Sequence, residues 1–437
     1  MSTEVPRIDR RRLLGAAAAG AVAAPLLAGS AGASTEQVSP LGGGAAVRTG
    51  AERAAGDGWS VLSGDRVGII TNPTGVLGNL RNIVDEMHES GAVRIAGVFG
   101  PEHGFRGTAQ AGGSEGTFVD ERTGLTVYDA YGANVAKMTE LFTTADVETV
   151  VFDIQDVGSR FYTYIWTMWT AMQAAVATEK RFVVLDRPNP VGGTARGPMM
   201  TAAYTSGVGA REIVQQHGMS VGELARFFDG EFLGEHAGGQ LAQLDIVQVS
   251  GWRRRTLYAD TGLDFVLPSP NMPTSDAALA YPGTCMFEGT NLSEGRGTTK
   301  PFELIGAPFV DHRWAAALEE ANLPGVTFRE AYFNPSVNKF AGQVCGGVQV
   351  TIQDRDRFDP VRTGVEMLVT AKALYPEFAW RQDSWDTARP FWIDKLTGST
   401  RLRTQIDAGA TGDEVEAAWR DELADFDATR RQYLLYR

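Results

Sequence analysis

Cysteine is nearly absent from this chain of 437 residues, with only Cys285 and Cys345 present, so a scaffold held by a disulfide framework is excluded. Whether these two pair stays open, because separation along the chain says nothing of geometry. Histidine is scarce too: His88, His103, His217, His236 and His312 show no H-E-x-x-H or comparable spacing for zinc. Basic charge is in deficit, with 40 Lys plus Arg against 53 Asp plus Glu and a net charge of −13. Outside the extreme N-terminus no basic cluster offers an electrostatic footprint for nucleic acid, which argues against such a partner. No repeat of solenoid period occurs. What is present is a globular balance of 43% hydrophobic and 21% charged residues, enough apolar surface for two cores of ordinary size.

The N-terminus reads as an export signal. Asp9-Arg10-Arg11-Arg12-Leu13-Leu14 precedes an Ala/Val/Leu/Gly run that ends at Ser30-Ala31-Gly32-Ala33, an A-x-A-like cleavage site. The paired arginines resemble the twin-arginine signal, so residues 1–33 are expected to direct the protein to the bacterial envelope or outside. The apolar run is Ala/Gly-rich and short for a bilayer span. No membrane insertion is therefore expected after cleavage, and the mature chain is still more acidic. Residues 34–57, rich in Ala, Gly and small polar residues, read as a flexible linker.

From Asp65 onward, short apolar runs of buried-strand type alternate with stretches of helical period. The runs are Arg66–Ile70, Arg94–Phe99, Glu148–Asp153, Arg181–Asp186 and Leu244–Val249; the helical stretches include Leu80–Ser90 and Phe161–Glu179. Ser220-Val-Gly-Glu223 reads as a capping box opening a helix through Phe232. The expectation is an α/β fold, a Rossmann-like domain with a mainly parallel sheet over 58–268. Pro268, Pro270 and Pro273 then break regular structure. Beyond them, a strand at Gly347–Ile352 and helices at Pro360–Leu374 and Asp413–Tyr433 suggest a smaller α+β domain over 269–437 that closes a cleft.

In an open α/β sheet, ligands bind beyond the carboxyl ends of the strands. There the chain carries Asn72, then Glu102 and His103, then Asp153, Asp156 and Arg160, then Asn189. These are candidates for a polar cleft whose carboxylates act as general acid and base. Each has a structural reading as well: Asp156 as a helix cap, Arg160 as a buried ion-pair partner, Tyr164 as helix-face core. A Gly-rich polar segment at 281–303 adds Glu288, Asn291, Glu294 and Arg296 as substrate contacts. Gly112-Gly113-Ser114-Glu115-Gly116 matches G-x-S-x-G but lacks a strand-to-helix elbow, so no serine hydrolase follows. The turn after the first strand, Thr71-Asn72-Pro73-Thr74-Gly75, is no dinucleotide fingerprint.

Taken in order, TNPTGV at 71–76, GPEHGFRG at 100–107, DIQDVGSRFYTY at 153–164, DRPNPVGG at 186–193, PSPNMPT at 268–274 and EGTNLSEGRGTTKPFE at 288–303 resemble one family. It is that of the exo-beta-N-acetylmuramidases of NamZ type, glycoside hydrolase family 171, formerly a domain of unknown function. The resemblance runs from about Val61 to the end. It implies hydrolysis of beta-1,4-linked N-acetylmuramic acid at the non-reducing ends of peptidoglycan fragments; the residues themselves call for no cofactor or metal. It further implies Glu102 as catalytic acid or base beside His103. The second carboxylate is expected at Asp153 or Asp156 first and at Glu288 or Glu294 next. The lactyl carboxylate of muramic acid calls for an arginine, Arg160 or Arg296. The competing reading is an exported sugar or muropeptide receptor without catalysis.

Overall fold

The computed structural model describes residues 46–437, so the export signal and the first part of the expected linker lie outside the described residues. In chain order the strands are β1 (Arg66–Thr71), β2 (Arg94–Gly100), β3 (Phe118–Val119), β4 (Thr126–Asp129), β5 (Thr149–Asp153), β6 (Arg181–Leu185), β7 (Arg196–Met199), β8 (Val214–Gln216), β9 (Leu244–Val247), β10 (Leu304–Ala307), β11 (Val326–Phe333) and β12 (Cys345–Ile352).

Seven of them form one sheet in the order β3-β4-β2-β1-β5-β6-β9. Every neighbouring pair is parallel except β3 with β4. Helices cover both faces, which is why these strands read as unbroken apolar runs instead of alternating ones. Ile70, Phe99, Val150, Phe152, Phe182 and Val184 point to one face, against the helices Val135–Thr144, Tyr164–Ala177 and Val221–Phe228. Their neighbours Ile69, Val98, Val151, Val183 and Leu185 point to the other, against Gly50–Gly56 and Ile83–Ser90. The capping box at Ser220 and Glu223 forms as expected from the sequence.

The second region is a three-stranded antiparallel sheet, β10-β12-β11, packed with the helices Arg313–Glu320 and Pro360–Leu374 around a core containing Trp314, Val348, Leu368 and Ile393. Cys285 and Cys345 are both buried free thiols. Among the described residues no helix is long and apolar enough to cross a membrane.

Two expectations need correcting. Residues 50–56 are a helix, capped reciprocally by Thr49 and Glu52 and burying Ala51 and Ala54; the small residues taken for a linker let this helix pack close to the sheet. The segment Asp413–Tyr433 is two helices, Gly412–Ala417 and Arg420–Arg430, and the second returns to the first domain. Phe426 joins the core of the large sheet, Arg430 donates to the carbonyls of His217, Gly218 and Gly193, and Tyr436 donates to Asp186 at 2.5 Å.

Candidate active site

Strand order reverses between β1 and β5, and Thr71 and Asp153 are paired there at the carboxyl edge, the place where a ligand crevice opens in such sheets. Several polar residues at this edge are frame rather than site. Asp153 is fully buried, and its oxygens accept from Arg187 Nε at 2.5 Å and Nη2 at 2.9 Å. Burial raises its pKa against the pull of Arg187. Asn72 Oδ1 accepts from Thr74 N at 2.9 Å and closes a turn. Asn189 donates to Met219 O at 2.9 Å and accepts from Val191 N at 3.0 Å. Asp156 Oδ2 accepts from Gly158 N at 2.7 Å and contacts His217 Nε2 at 3.2 Å. Because His217 Nδ1 accepts from Met219 N, the ring proton sits on Nε2 and is given to Asp156.

Arg160 also differs from the expectation of a substrate contact. It is fully buried, and its guanidinium donates to the carbonyls of Pro198 (2.9 Å), Ile213 (2.7 Å) and Leu396 (2.6 Å). Among the described residues no carboxylate is bonded to it, and burial lowers its pKa to about 9. It ties the β7–β8 hairpin to the helix Trp392–Thr397 and does not line the cavity described next. Asn291 is likewise committed, donating to Glu377 O and accepting from Ala379 N.

The cavity, about 750 Å³, lies between the two regions, within the range of small-ligand sites. Its first wall carries Glu102, His103, Tyr162, Thr163 and Tyr164. Glu102 Oε2 accepts from Thr163 Oγ1 at 2.9 Å and Oε1 from Gly112 N at 2.8 Å. Thr163 is the N-cap of the helix Tyr164–Ala177, and its hydroxyl caps no amide of that helix. It serves Glu102 instead, so the carboxylate stands by the positive end of a 14-residue helix.

The neighbouring backbone is folded tightly to make this possible. His103 has φ 70° and Gly104 φ 85°, and a Cβ at Gly104 would lie 2.2 Å from the Glu115 carboxyl carbon. That carboxylate gathers the loop by accepting from Arg106 N, Thr108 N and Thr108 Oγ1. The His103 ring bonds Ala109 O through Nδ1 at 3.0 Å, which leaves Nε2 of the neutral ring as an acceptor. Burial pushes the hydroxyl pKa of Tyr162 and Tyr164 upward, so both stay uncharged, and the Tyr164 O–H is donated to Pro268 O at 2.5 Å. Tyr162 and Tyr281 meet edge to face with centroids 5.7 Å apart, an apolar surface of the kind a sugar ring packs against.

The second wall carries Glu288, Glu294, Arg296, Lys339, Arg381 and Trp392. Arg296 Nη2 lies 2.8 Å from Glu288 Oε1 and Nε 3.3 Å from Glu294 Oε1. Burial opposes its charge, but Glu288 more than compensates and its pKa is raised. Thus the structure brings Glu102, His103, Tyr164, Glu288, Glu294 and Arg296 to one cavity, and keeps Asp153, Asn189, Arg160 and Asn291 in the supporting frame. Lys339, Arg381 and Trp392 were not picked out from sequence, since each stands in a stretch without a motif. Beneath the cavity an apolar seam of Val157, Phe161, Met272, Tyr281 and Phe302 joins the regions.

Fold and cavity together define a class: two-domain α/β proteins whose carboxylate- and aromatic-lined cleft at a sheet edge suits a carbohydrate. Within it, two family models match, the N-terminal one of exo-beta-N-acetylmuramidase NamZ over residues 67–276 and the C-terminal one over 279–436. The chain belongs to the NamZ family. It is 44% identical over 392 residues to the peptidoglycan beta-N-acetylmuramidase NamZ of Bacillus subtilis (strain 168), covering 89% of this chain and 91% of that protein. Two crystal structures of DUF1343 family proteins from Bacteroides fragilis NCTC 9343 share the fold. One has a TM-score of 0.78 at 33% identity, the other 0.71 at 28%, each covering 90% of this chain and 99% of its own.

Proposed function

We propose that this protein is an exo-acting glycoside hydrolase that releases beta-1,4-linked N-acetylmuramic acid from the non-reducing ends of peptidoglycan fragments, in wall turnover. The observation that carries this reading is the likeness along nearly the whole chain to a peptidoglycan beta-N-acetylmuramidase. The cavity supports it chemically. Glu102 is the acid/base: each of its oxygens takes one fixed donor, which orients the carboxyl toward a glycosidic oxygen or a water. His103 lies beside it and offers Nε2 to the same space. Since Asp153 and Asp156 are bonded within the frame, we assign the second carboxylate to Glu288 or Glu294 on the facing wall, a pairing across the cleft that suits glycoside hydrolysis. Residues 1–33 direct export, by the twin-arginine route, to where such fragments are found.

Incubation of the mature chain with a muramyl-glucosamine disaccharide and a chromogenic N-acetylmuramide, products followed by mass, tests this directly. Release of free N-acetylmuramic acid, one residue at a time from longer fragments, is the expected result. Binding without bond cleavage would overturn the hydrolase reading in favour of a receptor.

A further inference from the structure

The cavity holds three cations, and they are not equivalent. Lys339 has used every N–H of its ammonium, donating to Phe287 O at 2.9 Å, Leu292 O at 2.8 Å and Glu294 Oε2 at 3.0 Å. Arg296 faces Glu288 and Glu294, so on that side two cations meet two carboxylates and the charges balance. Around Arg381 they do not. Among the described residues Arg381, Arg389 and Lys395 share two carboxylates, Asp383 and Asp386, which leaves a surplus of one positive charge at this corner.

Arg381 is where that surplus faces the cavity. Among the described residues its side chain makes one hydrogen bond, at 3.2 Å, to an Asp383 already paired with buried Lys395. Its guanidinium carbon lies 4.8 Å from the ring centroid of Trp392, a cation–π contact that holds the plane while the N–H edge stays available. The backbone is fixed as well: Arg381 N donates to Gly289 O at 2.8 Å and Trp392 N to Arg381 O at 3.1 Å. Trp392 lines the same cavity, and its buried indole N–H finds no acceptor among the described residues. A preorganised guanidinium beside an unpaired N–H donor is a receptor for a carboxylate.

We propose that Arg381, with the indole N–H of Trp392, binds the lactyl carboxylate of the muramyl residue and sets the preference for acidic over neutral amino sugars. The assignment rests on the hydrolase reading above and moves the anion contact away from Arg160 and Arg296. Its test compares kcat/KM on a chromogenic N-acetylmuramide and on the lactyl methyl ester of the same compound. Arg381→Gln is expected to lose about 100-fold on the acid and less than about 3-fold on the ester, Arg381→Lys less on the acid, and Trp392→Phe about 10-fold on the acid alone. Equal losses on both substrates, or none, in a folded variant would overturn it. If the unmodified protein cleaves neither compound, the hydrolase reading fails separately. Calorimetry with free N-acetylmuramic acid and its methyl ester then decides: a preference for the acid that Arg381→Gln abolishes supports the site, and a preference that survives the substitution, or none at all, sinks it.

Discussion

Asp153 and Glu102 stand at the carboxyl ends of strands of the same mainly parallel sheet, and both were candidates for the same chemistry, yet their surroundings are opposite. Asp153 is sealed and lashed to Arg187, which in turn reaches Val76 O at 3.0 Å, so the ion pair clamps three loops of the sheet edge. Glu102 takes only a hydroxyl and an amide, and opens on the cavity. With both oxygens taken by Arg187 and no face on the cavity, Asp153 holds the scaffold together; Glu102, held by neutral donors at the cavity wall, keeps its charge available for a substrate. The difference lies in the partner and not in the acid or its position along a strand.

This contrast can be broken most severely at Glu102. Replacing it by Gln keeps the size, so kcat/KM on the muramide is expected to fall by about a thousandfold or more while the unfolding temperature holds; near-normal turnover would remove Glu102 from the chemistry. The converse holds for Asp153→Asn, which strands Arg187 in the interior. Stability should fall by ~3–5 kcal/mol in denaturant titration, with the remaining folded enzyme turning over normally. A catalytic collapse in fully folded Asp153→Asn would erase the distinction between the two acids.

A smaller effect is expected far from the cleft. Tyr436→Phe removes a donor from buried Asp186 and is expected to cost ~1–3 kcal/mol. Burial raises the Asp186 pKa to about 6 although Tyr436, Gly222 and Ser220 donate to it. Its folded value therefore exceeds its unfolded one, so its contribution to stability is full below about pH 4 and is lost as pH rises to about 6. Without the Tyr436 donor the folded value rises further and the decline extends to higher pH, which thermal melts from pH 4 to 8 would reveal. Mildest is Thr163→Val: the carboxylate of Glu102 loses one donor, and a loss of about 3- to 10-fold in kcat is expected, with the pH–rate profile displaced and melting almost unchanged. An unmoved pH profile would mean that Thr163 is merely a helix terminus.

Much of the large sheet was readable because β1, β2, β5 and β6 are runs such as Thr149–Asp153, buried on both faces and flanked by turns. β3 and β4, with two and four residues, carry too little pattern, and the alternating polar residues of β11 gave no buried run. The helix at 50–56 was misread because Ala and Gly have no amphipathic stripe, although its cap residues Thr49 and Glu52 carry the signal. At the site, Glu102 and His103 could be picked out since a Glu-His pair is unusual in a Gly-rich turn. Arg160 could not be placed: its acceptors at Pro198, Ile213 and Leu396 are 38 to 236 positions away, and only the fold reveals that a guanidinium is already engaged. The same distance hid Arg381 and Trp392, which lie beyond every motif.

The return of the last helix has a consequence for biosynthesis. Asp186 sits in the middle of the chain, but its partner is Tyr436, and Arg430 holds the carbonyls at Gly193, His217 and Gly218. A ribosome would thus release the entire second region before the first sheet gains its final strut. Contacts of such sequence separation form late and slowly, so the first region cannot be finished as it emerges and waits for Arg430 and Tyr436 to be synthesised.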